Sequence, residues 1–91
     1  MRIEGLVWLD AVVEKLAVKH RVSVDEVEQV FLNGPRYRYI ERGHRRGDDV
    51  YAAKGRTDRG RNLIVFFVHK RLTRDALILS ARSPSRRERN V

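Results

Sequence analysis

The chain has 91 residues, of which 42% are hydrophobic and 35% charged, so we expect one domain with a single core. Because it has no cysteine, disulfides, thiolate metal ligands and cysteine nucleophiles are excluded. The net charge of +8 arises entirely in residues 54–91, which hold eleven basic and three acidic residues, whereas nine of each sign cancel in residues 1–53. Such an uneven surplus is typical of a protein that binds a polyanion. The alternative is a solvated basic surface with an acidic protein partner.

The first half of the chain predicts a strand followed by two helices. Residues 2–8 alternate weakly, as in a short strand, and Asp10 then suits the N-cap of a helix whose apolar residues recur at helical spacing. Ser23 precedes Glu26 by three residues, which predicts a capping box at the start of a second helix. The Asn-Gly-Pro sequence at 33–35 predicts its end.

The second half predicts strands joined by polar turns. The expected strands are 36–42, 50–54, 63–70 and 75–82. The third of them is apolar on both faces, which places it in the middle of the sheet, and Ser85 with Glu88 predicts a cap for a short terminal helix. The sequence therefore predicts an α+β fold of order β-α-α-β-β-β-β, in which two N-terminal helices pack on an antiparallel sheet of four to five strands. A short basic tail, 83–91, completes a single domain over 1–91.

No membrane segment, metal site or cofactor is expected. The opening residues lack the apolar core of a signal peptide, and no stretch approaches the roughly 20 apolar residues of a membrane span, so a cytoplasmic protein is predicted. The histidines lie far apart without metal-ligand spacing. His69 alternates with apolar residues in a central strand, which favours a structural role. His44 lies in a charged turn, and His20 ends a helix where the dipole favours a cation.

The C-terminal arginines are the strongest candidates for chemistry. Arg82 ends the last predicted strand, and further arginines follow it at positions 86, 87 and 89. The planar fork of arginine suits phosphate, and several such forks suit the doubly charged phosphorane formed when RNA is cleaved by its own 2′-hydroxyl. That reaction needs a proton acceptor and a proton donor, for which Lys19, His20 and Glu88 are candidates. The alternative is a solvated tail in which Glu88 pairs with its neighbours.

Several short motifs follow one another in a specific order along nearly the whole chain. They are Trp8 with Asp10, Lys15-Leu16, Lys19-His20, Val22-Ser23 with Glu26, Val30-Phe31, His44, Gly55, Gly60-Arg61, Ser80-Ala81-Arg82 and Arg86-Arg87-Glu88-Arg89. With these motifs the chain resembles the BrnT family of bacterial toxins, the ribonuclease halves of type II toxin–antitoxin pairs, which have a RelE-like fold. It departs from that family at residues 48–51, where Asp-Asp-Val-Tyr follows in place of the common Glu-Glu-Arg.

The resemblance implies an endoribonuclease that relies on basic side chains, needs no cofactor, and is neutralised by a small, BrnA-like antitoxin with which it forms a hetero-oligomer. The implied catalytic residues are Lys19, His20, Arg61, Arg82 and Glu88. The implied RNA-binding residues are Lys15, Lys54, Arg86, Arg87 and Arg89. Two alternatives stay open at this stage: a non-catalytic nucleic-acid-binding module, and an orphaned, inactive homologue of the toxin.

Overall fold

The structure is a computed structural model and describes residues 1–89, so that Asn90 and Val91, the end of the predicted basic tail, lie outside the described residues. The elements are β1 (Gly5–Val7), α1 (Asp10–Lys15), which continues as a π-helical turn (Leu16–His20), α2 (Val24–Leu32), β2 (Arg36–Glu41), β3 (Asp48–Arg56), β4 (Asn62–Lys70), β5 (Asp75–Arg82) and α3 (Arg86–Arg89). The predicted α+β class is confirmed, and the order differs slightly from the predicted β-α-α-β-β-β-β, because a π-helical segment follows α1 and α3 follows β5.

The strands form one sheet in the order β1-β5-β4-β3-β2. Its central strand is β4, as its two apolar faces predict. Pairings β2–β3, β3–β4 and β4–β5 are antiparallel, whereas β1 lies parallel to β5. The sheet is therefore mixed, and the prediction of an antiparallel sheet is wrong for this one pairing. Alternation in a sequence cannot distinguish these two pairings, because side chains alternate with a period of two in both of them.

At the N-terminus of each of the first two helices, free backbone N–H groups are paired with nearby oxygen acceptors. The α2 capping box is confirmed, because the Ser23 hydroxyl accepts from the Glu26 N–H at 3.2 Å and the Glu26 carboxylate accepts from the Ser23 N–H at 3.1 Å. The N-cap of α1 is Leu9 rather than the predicted Asp10, which is the first helical residue. The carbonyl of Leu9 already accepts from Val12 N–H at 2.9 Å, and no side chain caps this end.

The core lies between these helices and one face of the sheet. Its fully buried residues are Leu16, Val22, Val27, Val30, Ala53, Leu63, Val65, Phe67, Ala76, Ile78 and Ala81. Because side chains alternate along a strand, the residues between these ones in β4, Ile64 and Phe66, point to the opposite face. We call that second side of the sheet the open face. Within residues 1–89, no helix is both long and apolar enough to cross a membrane.

Candidate nucleic-acid interface

A row of basic side chains crosses the open face at right angles to the strands. Arg36 of β2 pairs with Lys54 of β3, Lys54 with Ile64 of β4, and Ile64 with Arg82 of β5. Directly paired residues on neighbouring strands point to the same side of a sheet. With strands about 4.8 Å apart, the row from Arg36 to Arg82 extends roughly 14 Å. We refer to Arg36, Lys54 and Arg82 as the basic row.

A cavity of about 580 Å³ is lined by Arg36 and Lys54 of the basic row and has an apolar floor. The floor includes Ala52, Ile64 and Phe66, while Arg38 of β2 and Arg87 of α3 also line the cavity. Ala52 and Ile64 are buried and Phe66 is half-buried. Charged side chains beside an exposed aromatic surface are the combination found where proteins bind single-stranded nucleic acid. The open face therefore has both of the surfaces that such a ligand requires.

Arg82 is oriented by a carboxylate and an aromatic ring. Its two terminal nitrogens donate to the two carboxylate oxygens of Glu88, at 2.7 Å and 3.1 Å. Its guanidinium carbon also lies 5.4 Å from the centre of the Phe66 ring. A fork held at both nitrogens has little rotational freedom, so Arg82 presents a fixed cation to the open face.

Glu88 is strongly acidic in this arrangement. Hydrogen bonds from Arg82, and after them the hydrogen bond from the Ser85 N–H, lower the pKa of Glu88 to about 2. The hydrogen bond to Glu88 raises the pKa of Arg82. Both groups are consequently charged at neutral pH, and a carboxylate with this pKa is a poor proton acceptor.

The short helix α3 is held against the open face by polar contacts. The Ser85 N–H donates to the Glu88 carboxylate at 2.7 Å, and the Ser85 hydroxyl accepts from the Glu88 N–H at 3.3 Å, which forms a second capping box. The Lys54 ammonium donates to the backbone carbonyl of Glu88. These contacts fix α3 beside the basic row and confirm the predicted cap.

The structure brings together only part of the predicted site. Lys54, Arg82, Arg87 and Glu88 meet at the open face. Arg86 and Arg89 are exposed on the same short helix, α3. These six residues include most of the predicted RNA-binding set and two of the five predicted catalytic residues.

Arg61 belongs to the helix layer on the other side of the sheet. Its guanidinium donates to the backbone carbonyls of Arg21, at 2.8 Å, and His20, at 3.2 Å, and it forms an ion pair with Glu26 at 3.0 Å. Partial burial raises the pKa of Glu26, but the hydrogen bonds from Ser23 and Arg61 outweigh it, so the net pKa is lowered. Carbonyls at the end of a helix have no partner within it, and Arg61 supplies one.

The remaining predicted residues lie on the first helix. Lys15 ends α1, and Lys19 and His20 end its π-helical turn, with both lysines exposed and His20 half-buried. These three residues belong to the layer that packs on the core face of the sheet. They are therefore separated by the sheet from Arg82 and Glu88, and His20 approaches Arg61 through its backbone carbonyl.

Sequence reasoning missed Arg36, Arg38 and Phe66. Arg36 and Arg38 stand two residues apart in a strand, a spacing that places both on one face. The alternation of Arg with Tyr and Ile over residues 36–42 predicts a strand with one face in contact with water. What the pattern did not reveal is that the same face carries Lys54 and Arg82, because strand register is set by pairing in the folded sheet.

No protein-family model matches this sequence, and no curated protein matches it. Within residues 1–89, no three His, Asp or Glu side chains lie close enough together to hold a metal ion.

Proposed function

We propose that the open face binds single-stranded RNA and that the protein is a cytoplasmic, BrnT-type ribonuclease toxin. The observation that carries this proposal is the basic row of Arg36, Lys54 and Arg82 above the Phe66 floor. Phosphates of an RNA strand would follow the row, and an unstacked base would rest on the apolar floor.

In the proposed reaction, a 2′-oxygen attacks the adjacent phosphorus and the 5′-oxygen leaves. The proton of the 2′-hydroxyl goes to a base, and the leaving oxygen takes up a proton. Negative charge develops on the non-bridging oxygens, where Arg82 and Lys54 would stabilise it. Lys19 and His20, which the resemblance implies for proton transfer, belong to the helix layer on the other side of the sheet. In the proposed step, water at the open face therefore accepts the proton of the 2′-hydroxyl and supplies the proton of the leaving oxygen.

Glu88 orients Arg82 in the ligand-free chain. It holds both terminal nitrogens of Arg82 and remains ionised, because its pKa is about 2. A phosphate offers the same pair of acceptor oxygens as a carboxylate, so an RNA phosphate would take over bonds that Glu88 makes in the ligand-free chain.

Cleavage of a labelled transcript by the purified protein tests the activity. We expect Arg82→Ala to slow cleavage by about 10²–10³-fold, the typical effect of losing one group that stabilises transition-state charge. The melting temperature should change little, because the Arg82–Glu88 ion pair is 38% and 29% exposed and such pairs contribute little to stability. Arg59→Ala, in an exposed turn, is the matched control.

Growth of a bacterial host that expresses the protein is a second test of the same proposal. Expression of the protein alone should arrest growth, and the Arg82→Ala variant should not. Unimpaired growth at high soluble expression, with an intact transcript in vitro, would contradict the ribonuclease proposal. If RNA is bound in a salt-dependent manner but never cut, the non-catalytic binding module is the correct alternative.

We also propose that an acidic antitoxin covers the open face. The charge surplus of residues 54–91 favours a partner of opposite charge, and covering the basic row would block RNA and neutralise charge in one step. The product of a short neighbouring reading frame should copurify with the chain and restore growth. A complex in which the partner lies only on the helix layer, leaving Arg82 uncovered, would contradict this placement.

A further inference from the structure

A second cavity, of about 640 Å³, lies where the β2–β3 turn meets the start of the β4–β5 turn. Its lining is strongly basic and includes Arg42, His44, Arg45, Arg46, His69 and Arg71. None of these residues lines the cavity of the open face. We call it the turn cavity.

The positive charge of the turn cavity is only partly compensated by acidic residues of its own lining. Asp49 is the one acidic residue of its lining among residues 1–89, and its carboxylate accepts a hydrogen bond from the Gly43 N–H at 3.2 Å. The neighbouring carboxylate, Asp48, pairs with Lys70 at 2.9 Å. None of the ion pairs found in residues 1–89 includes an arginine of this cavity. Several cations held close together with a single carboxylate among them favour an anionic ligand.

The backbone around the turn cavity is fixed by hydrogen bonds and glycines. The Asp48 N–H donates to the Arg45 carbonyl at 3.0 Å, and the Arg71 N–H donates to the Gly47 carbonyl at 3.1 Å, which ties the two turns together. A Cβ at Gly43 would collide with the carbonyl oxygen of Asp48. Because the frame is fixed, the arginines are attached at defined positions around the cavity.

His69 adds a polar group that needs a partner. Its ring meets the Tyr51 ring edge-on, with 5.8 Å between centroids, and both residues line the cavity. Its Nε2 is buried and has no hydrogen-bond partner within the described chain. An unpaired buried polar atom costs roughly 1–3 kcal/mol. A ligand oxygen that forms a hydrogen bond with His69 Nε2 would remove this cost.

We propose that the turn cavity binds the phosphate monoester of a nucleotide, either as a free mononucleotide or as the terminal phosphate of an RNA strand. A monoester carries nearly two negative charges at neutral pH and three acceptor oxygens, which match several arginine forks. The volume is within the range of small-ligand sites and leaves room for the nucleoside beyond the phosphate. This inference does not depend on cleavage at the open face, because the two cavities share no lining residue.

Amide NMR of the full chain, titrated with uridine 5′-monophosphate and with uridine, tests the proposal. We expect saturable shifts at Gly43, Gly47 and His69 with the monophosphate and none with uridine. The double variant Arg45→Gln/Arg46→Gln should weaken binding by about tenfold or more, since it removes two charged hydrogen-bonding groups. The double variant Arg56→Gln/Arg59→Gln removes equal charge from the end of β3 and the β3–β4 turn and should leave affinity within about twofold.

Two short RNAs, one with a 5′-phosphate and one with a 5′-hydroxyl, distinguish the source of the ligand. If the phosphate tightens binding, and the Arg45/Arg46 variant removes that advantage, the cavity takes RNA ends. If the phosphate adds nothing while the mononucleotide binds, the cavity takes free nucleotides. Equal weakening in both double variants, or equal shifts with uridine, would overturn the proposal.

Discussion

At the scale of single residues, Arg61 and Arg82 come from one predicted site but have different surroundings. Arg61 joins the β3–β4 turn to the end of the first helix through carbonyl oxygens and Glu26. Arg82 is held by one carboxylate, on a helix of only four residues. The bonds of Arg61 therefore connect elements of the fold, whereas those of Arg82 can be exchanged for bonds to another anion.

Replacing Arg61 should reduce stability. Arg61→Ala removes the donor for the carbonyls of His20 and Arg21, and we expect the free energy of unfolding to fall by about 1–3 kcal/mol. Urea unfolding followed by circular dichroism measures this change. Arg59→Ala removes the same charge from the same turn, where the side chain is exposed, and should change stability by less than about 0.5 kcal/mol.

The same pair of variants separates the two roles of Arg61. If Arg61→Ala keeps the stability of the native chain but loses RNA cleavage, the catalytic role implied by the resemblance is correct. If it unfolds more readily and the folded fraction still cleaves RNA, Arg61 acts through the fold alone.

At the scale of an element, α3 depends on polar contacts with the open face. Its residues Arg86, Arg87 and Arg89 are exposed, and Glu88 is half-buried. A helix of one turn has little stability of its own, because forming the first turn fixes several residues for a single hydrogen bond. The ion pair with Arg82 and the bond from Lys54 therefore decide whether α3 stays on the sheet.

The docking of α3 should depend on pH in the acid range. The pKa of Glu88 is lowered from 4.5 to about 2 in the folded chain. A lowered carboxylate pKa stabilises the docked form above the ordinary pKa, and this stabilisation is lost as the pH falls from 4.5 towards 2. Side-chain NMR of Glu88, together with the Ser85 amide shift, should follow one transition with a midpoint near 2.

Glu88→Gln is the control for this titration, since it keeps the shape of the side chain and has no carboxylate. The Ser85 amide of that variant should show no transition in the same range. A Glu88 midpoint near 4.5, its ordinary value, would mean that Arg82 and Glu88 are not paired in solution.

At the scale of the whole molecule, the sheet separates a stabilising side from a basic side. Two helical segments cover one face and bury the core, while the basic row crosses the other. A small chain has enough apolar surface for one well-packed core, so its second face remains available for a ligand. Residues that are adjacent on one strand consequently have different functions, as Leu63 and Ile64 show.

The salt dependence of RNA binding should report how many phosphates the open face contacts. If the basic row contacts three phosphates of a single strand, a plot of log affinity against log salt should have a slope of about −2. Fluorescence anisotropy with a 5′-hydroxyl RNA between about 50 and 200 mM salt measures it. Arg36→Gln should reduce the slope by about 0.7, and Arg59→Gln should leave it unchanged. A slope near zero would contradict binding through the basic row.

Local signals in the sequence determined most of the elements. The capping box of Ser23 and Glu26 defined the start of α2, and the alternating and doubly apolar patterns defined the strands and the central position of β4. These signals succeed because a cap or a periodic pattern depends on residues only a few positions apart. The same locality explains why the cap of Ser85 and Glu88 was predicted.

Only the tertiary structure decided which charges meet. The parallel pairing of β1 and the grouping of Arg36 with Lys54 and Arg82 depend on contacts between distant segments. A shift of one residue in the register of a strand would turn its side chains to the other face, and no local pattern reports that register. Arg61, which the resemblance implied beside Arg82, lies in the β3–β4 turn, and its contacts direct it into the helix layer.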